Sequence, residues 1–301
     1  PMPLTTLSRI KALAGIPASD TTQDAVVQAV LASAESAVKS WCKRNLEQKV
    51  YTEYMDGTGT PNLIVRERPV RLYTLAGTLT SGSAIVTGLS STANLLAGMP
   101  AVHTSIPVGT TISTIDSATQ VTLSASATAS GSATIHFGLA LWSDSAGFYG
   151  DATDSFSDSR QHLTLGIDFA LRRDDEDGTA CKSGVIVRLA GGSTAGQGIA
   201  DWYWGGGTRK GTLTARMPPV WPKGYGNLKI VYAAGYATIP DDLALAVDQL
   251  AVWSWRTAPQ GGMAVTSEGY EGYSYSLSQL TSDPALGTTR QILTRYRELA
   301  V

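Results

Sequence analysis

Residues 229–256 read KIVYAAGYATIPDDLALAVDQLAVWSWR. The stretch holds two kinds of structure. GNLKIVYAAGY, residues 226–236, reads as a strong strand. Pro240 and the acidic pair Asp241-Asp242 then open a helix, because proline suits a first helical turn and carboxylates favour the positive end of the helix dipole. That helix is predicted to reach about Ala258, before Pro259. Its apolar residues Leu243, Leu245, Val247, Leu250, Val252, Trp253 and Trp255 occupy more than one face. A helix apolar most of the way round is covered on several sides. Leu245, Val252, Trp253 and Trp255 are therefore candidates for a contact with a neighbouring subunit, as are Trp202 and Trp204 in the loop WYWGGGTRKG.

Working back to the start, Thr5 and Thr6 offer N-caps to LSRIKALA, and Gly15 with Pro17 ends that helix. Asp20 to Thr22 cap a longer helix predicted to run to about Asn45. Val26, Val27, Val30, Ala34, Ala37, Val38 and Trp41 give it one apolar face. Lys39, Lys43 and Arg44 crowd its end, where cations favour the dipole. Tyr51 and Tyr54, then Asp56-Gly57, then Leu63-Ile64-Val65 read as strand, turn and strand, and Pro69 marks a strand end or an edge. Later, LTLGIDFALRRDDEDGTACKSGVIVRLAG predicts a hairpin, with strands over 163–171 and 185–189. Helices in runs and strands in runs make the fold class α+β, with antiparallel strands.

Between Gly77 and Gly138 the composition changes. Ser, Thr, Ala and Gly dominate, and Asp116 is the one charged residue. Val121, Leu123 and Ala125 alternate with polar residues, as do Ala133, Ile135 and Phe137. A disordered linker would be as poor in charge, but the alternation and the aliphatic content favour a small β-sandwich or barrel inserted in the chain. The expected organisation is a core over 1–76 and 139–258, an insert over 77–138, and a C-terminal tail over 259–301. The tail, rich in Gly, Ser and Tyr, ends in TTRQILTRYRELAV. There Ile292, Leu293, Tyr296 and Leu299 form a stripe beside Arg290, Arg295 and Arg297. So short a helix is not stable by itself and has the look of a docking segment.

The chain has 301 residues, 43% of them hydrophobic and 16% charged, with a net charge of -2. That is a globular protein, and not one built to grip phosphate backbones. No apolar run approaches the ~18 residues of a membrane span. The opening PMPLTTLSRIKALAG lacks the pattern of a signal peptide, so assembly in a cytoplasm is expected. Cys42 and Cys181 are too few for a disulfide scaffold and read as reduced thiols.

Catalytic and metal chemistry find little support. The run Asp174-Asp175-Glu176-Asp177-Gly178 is consecutive, whereas a calcium loop alternates its ligands, so a solvated turn is the better account. Asp151, Asp154 and Asp158 lack a ligand frame. His103, His136 and His162 are scattered, without zinc spacing. The Gly191–Gly198 loop has neither the Lys-Ser/Thr of a phosphate loop nor the last Gly of a nucleophile elbow. Arg209 and Lys210 beside Trp202, Tyr203 and Trp204 are too few cations for DNA affinity. No cofactor and no catalytic residue is expected.

Outside the insert, the order and texture of four pieces resemble the head–tail connector (adaptor) family of tailed bacteriophages. They are the helical opening LSRIKALAGIP…DAVVQAVLASAESAVKSWCKRNL; the strand pair YTEYMDGTGTPNLIVRERPV; the stretch 229–256, the most specific; and SEGYEGYSYSL with the terminal ILTRYREL. The insert looks like the immunoglobulin-like or similar β modules inserted in other phage structural proteins. The resemblance implies a non-enzymatic virion protein of the neck. It implies a ring, typically of twelve copies, under the portal protein, extending the DNA channel and offering a platform to a tail or stopper protein. Double-stranded DNA passes through such a ring without sequence-specific binding. The resemblance also implies portal contacts at the C-terminus, here Tyr270, Tyr273, Tyr275, Leu277, Arg290, Ile292, Leu293, Arg295, Tyr296, Arg297 and Leu299. Two other readings stand beside it. One is a surface module that binds carbohydrate or protein through the insert, with Trp202, Tyr203 and Trp204 suited to sugar stacking. The other is a hydrolase using the acidic clusters, for which no nucleophile–base pair can be read.

Overall fold

The computed structural model describes residues 4–143, 162–172, 180–189, 220–257, 269–270, 273–274 and 286–297. The fold is α+β, with antiparallel strands in several small sheets. The chain divides into two compact units, Pro1–Gln48 with Tyr236–Val301, and Lys49–Gly235. The division falls at Gln48 and Gly235, so residues 77–138 lie within the second unit.

The first unit is helical. Helix α1 (Leu7–Ala14) starts at Thr6, whose hydroxyl accepts the Arg9 amide, and stops at Gly15, which turns left-handed at φ 77°. Helix α2 (Asp24–Cys42) begins later than the caps suggest. Asp20 instead accepts the Thr22 amide at 3.0 Å, closing a turn before the helix. The buried Lys11 fastens that turn, donating to Asp24 Oδ1 and the Asp20 carbonyl at 2.6 Å each. The helix also ends before Asn45, because Lys43 takes a left-handed backbone at φ 55°.

The second unit opens with β1 (Lys49–Gly57), β2 (Asn62–Ile64), β3 (Val70–Arg71) and β4 (Tyr73–Leu79). Next come β5 (Ile85–Val86), β6 (Ala101–Val102), β7 (Ile112–Ser117), β8 (Gln120–Leu123), β9 (Gly131–Phe137) and β10 (Leu139–Ser143). The last five are β11 (His162–Leu163), β12 (Phe169–Leu171), β13 (Ala180–Cys181), β14 (Val185–Arg188) and β15 (Gly224–Ala234). Strand β15 organises the main sheet. Strand β1 pairs along one of its edges, from Lys49↔Ala234 to Gly57↔Gly224, while β10 and β3 share the other. Strands β11 and β13 extend the sheet beyond β10 and β3. Leu228, Ile230, Tyr232 and Ala234 face one core, opposite the smaller sheet β12-β14-β2, which contributes Phe169, Ile186 and Leu63. The Tyr232 hydroxyl donates to Glu53 Oε1 at 2.6 Å and accepts the Glu67 amide, so its buried ring end is satisfied.

One sequence expectation fails here. Residues 163–171 are not a single strand. Gly166, at φ 81°, turns the chain, and Asp168 accepts the Thr164 amide at 2.8 Å across that turn. The segment is thereby cut into β11, which pairs with β10, and β12, which pairs with β14. The turn over 174–178 lies outside the described residues.

Residues 73–137 carry two three-stranded sheets, β4-β9-β6 and β5-β8-β7, around their own apolar cluster. Val121, Leu123, Ala133, Ile135 and Phe137 are buried, as their alternation predicts, whereas Ala125 lies beyond the end of β8. Strands β4 and β9 form a continuous ladder from Tyr73↔Phe137 to Leu79↔Gly131. Edge strand β7 has register shifts at both ends and carries Asp116, features that oppose pairing with a further strand.

Back in the helical unit, α3 (Asp241–Thr257) packs against α1 and α2, and against α4 (Gly287–Tyr296). Leu243, Ala246, Val247, Leu250 and Ala251 are buried there, so the helix apolar on several faces is covered on several sides. A two-stranded hairpin, β16 (Gly269–Tyr270) with β17 (Tyr273–Ser274), lies between α3 and α4 in sequence.

Candidate functional site

The C-terminal helix α4 is where the predicted docking residues converge, and its surroundings define the site. Ile292 and Leu293 are buried in the helical core of their own chain, together with Leu286. Thr289, also buried, donates from its hydroxyl to Gln249 Oε1 of α3 at 2.7 Å. Tyr296 is half-buried and donates to Asp242 Oδ1, at the first turn of α3. Burial, then the Asp242 carboxylate, pushes the Tyr296 hydroxyl up, so it stays a donor across the physiological range. Its ring meets that of Tyr236 edge-on at 5.9 Å.

Three arginines stand around these rings. The Arg44 guanidinium lies 5.9 Å from the Tyr236 ring centre, and that of Arg297 lies 5.5 Å from Trp41. Arg295, in the last turn of α4, is close enough to act on Tyr296 electrostatically. Arg295 and Arg297 are exposed, while Arg44 and Arg290 are half-buried. The result is a shelf of Trp41, Tyr236 and Tyr296 with guanidinium groups laid on or beside it. Such stacking holds a guanidinium plane against a ring face, and Arg295 and Arg297 are exposed.

Sequence reading named the α4 half of this arrangement and missed Trp41, Arg44, Tyr236 and Asp242 as its other half. Arg44 reads as a dipole cation, Asp242 as a helix start, and Trp41 as one member of an apolar face. Their role follows only from α4 lying across them, which no spacing in the sequence records.

The remaining expected residues are dispersed. Tyr270 and Tyr273 stand opposite each other in β16 and β17. Leu245 is 39% exposed on α3, while Val252, Trp253 and Trp255 are partly buried against the helical core. Tyr275, Leu277, Leu299, Trp202 and Trp204 lie outside the described residues. So do Asp151, Asp154, Asp158 and the loop 191–198.

Among the described residues, no three His, Cys, Asp or Glu side chains come together in a way that could hold a metal ion. His136 contacts the Thr74 hydroxyl at 3.0 Å, His103 contacts the Ser105 amide, and His162 meets Trp142 edge-on at 5.2 Å. Cys42 and Cys181 are buried free thiols. No helix among the described residues is long and apolar enough to cross a membrane.

No protein-family model matches the chain, and no curated protein matches it. Among solved structures it is similar to a chain of "Neck of empty GTA particle computed with C6 symmetry". The two are 11% identical, with 99% of this chain and 91% of the other covered and a TM-score of 0.34. It is also similar to a chain of "Virion of native gene transfer agent (GTA) particle", 12% identical over 99% and 91%, with a TM-score of 0.32. Both likenesses are too distant to fix a fold or a function.

Proposed function

We propose that this chain is a structural adaptor of a phage head-to-tail connector. It forms a ring under the portal, extends the DNA channel, and carries the next tail or stopper protein. It performs no catalysis. The four sequence pieces that resemble the adaptor family support this reading, and one structural observation carries it. The C-terminal helix presents exposed Arg295 and Arg297 beside an aromatic shelf, a composition typical of the anchoring residues of protein interfaces. Leu245, a large apolar residue of α3 that is exposed, is the matching candidate for contact between copies in the ring.

The competing reading, a surface module that binds carbohydrate or protein through the insert, loses support in its carbohydrate form from one residue. Phe137 is the single Phe, Trp or Tyr between 77 and 138, and it is 0% exposed. Within the insert, no Phe, Trp or Tyr ring is therefore at the surface for a sugar to stack on, and Trp202, Tyr203 and Trp204 lie outside the described residues.

The test mixes the purified chain with the portal ring of the same particle and follows complex formation by sedimentation. Arg295→Glu with Arg297→Glu changes exposed positions and leaves the buried face of α4 intact. The adaptor reading expects the wild-type chain to join as a ring and the double variant to join at least tenfold more weakly. A wild-type chain that ignores the portal ends the adaptor reading.

A further inference from the structure

We infer that α4 is a latch: in the free subunit it folds back on α2 and α3 and hides its own apolar docking stripe until the portal draws it off. The inference rests on the adaptor reading and concerns the regulation of the same segment.

The first ground is occupancy. Ile292 and Leu293, which a docking segment would offer to its partner, are already buried against their own chain. Arg295 and Arg297 remain outside and are available for a first encounter. Ile292 and Leu293 are thus in the opposite state to Arg295 and Arg297 of the same short segment.

The second ground is the weakness of α4 as a helix. Helix α1 has a threonine N-cap and a glycine C-cap, and α3 carries Asp241 and Asp242 in its first turn. Helix α4 starts at Leu286 and Gly287 with no side-chain cap and no acidic residue in its first turn. At ten residues it is shorter than a helix that persists alone in water. It stays helical by lying in a groove, so a second groove can compete for it.

The third ground is the kind of tie that holds it. Thr289 to Gln249 and Tyr296 to Asp242 are single hydrogen bonds from α4 to α3. Asp242 also accepts the Leu243 amide at 2.8 Å and sits in the first turn of α3, where the dipole favours a carboxylate, so it keeps a partner when α4 leaves. Helices α1, α2 and α3 keep their mutual core. Release therefore leaves a folded body behind.

The test uses Gln249→Ala and Tyr296→Phe in the full chain. Gln249 lies outside the docking segment, and Phe keeps the ring while deleting one hydroxyl. Losing one hydrogen bond should raise amide exchange over 287–296 in the free chain by roughly two- to tenfold. Both variants should join the portal ring faster than wild type by a similar factor, a gain that ordinary damage to a structural contact would not give. The latch is overturned if exchange in α4 rises and joining is unchanged or slower, or if exchange does not rise in either variant. If the wild-type chain itself does not join, the adaptor reading falls, and the exchange result still reports whether these ties hold α4.

Discussion

Arg9 Nε of α1 lies 2.6 Å from Asp248 Oδ2 of α3, in an ion pair whose cation is 45% exposed and whose carboxylate is 0% exposed. The Thr5 hydroxyl donates to the other carboxylate oxygen at 2.6 Å. The two partners are not equivalent, because only one of them can return to water. Arg9→Ala strands a buried negative charge, which costs about 3 kcal/mol or more. Asp248→Ala lets Arg9 turn outward and leaves Thr5 without its acceptor, a loss of about 1–2 kcal/mol. Chemical denaturation of both variants should rank the arginine variant as the less stable. The reverse order would mean that Asp248 is solvated.

His162 gives the β unit a pH dependence. Burial lowers the affinity of its ring for a proton, with Asp168 opposing only in part. The unfolded chain takes up that proton near the ordinary value of 6.5. Below that pH the unfolded state binds more protons than the folded one, so stability is complete above it. Stability declines as pH falls, until the folded ring protonates as well. Denaturation midpoints measured between about pH 7.5 and pH 5.5 should fall for the wild type and stay flatter for His162→Gln. Parallel slopes would remove His162 as the cause.

Much of this fold is legible in the sequence because its signals are local. The caps at Thr6 and Gly15, the Pro-Asp-Asp opening of α3 and the alternation around Val121 and Ile135 each lie within a few residues of what they determine. Three features are not legible in this way. Lys43 ends α2 in a left-handed conformation that its residue type does not announce. The turn at Gly166 breaks an apolar run whose period alone reads as one strand. The amphipathic stripe of α4 shows that a groove exists for it, and the sequence does not say whose groove. Asp242 and Tyr296 are 54 residues apart in the chain, and Thr5 and Asp248 are 243 apart. Such ties exist only once the tertiary structure does.

The two cysteines report separately on the two units. Cys42, in the helical unit, is buried, and burial pushes its thiol up to about 11. Cys181, in the β unit, is also buried, 3.6 Å from the Val185 carbonyl oxygen. The thiolate is the reactive form, so Cys42 should resist a thiol reagent at about pH 8 in the native chain, and burial should shield Cys181 from it. Labelling with increasing denaturant, read by peptide mass, should then follow the opening of each unit. Rapid native labelling of Cys42 would contradict its burial.

Tyr73 faces Phe137 at the first rung of the ladder between β4 and β9, so the chain leaves the main sheet and returns to it at neighbouring positions. The segment between them closes its own core around Val86, Met99, Val121 and Ile135. Replacing 74–136 by an Asn-Gly turn keeps that rung and supplies the backbone a two-residue hairpin needs. The excision also has a cost: Val102 packs with Ala140, Trp142 and Val231, while Val50 and Ala233 pack on the cluster that would be removed. Uncovering those side chains should lower stability by about 2–4 kcal/mol. The shortened chain should still melt in a cooperative transition, at a lower temperature than the parent, with its helical circular dichroism retained. Loss of any cooperative melt would mean that the segment is a required part of the β unit, and that the shift in composition near Gly77 does not mark a removable module.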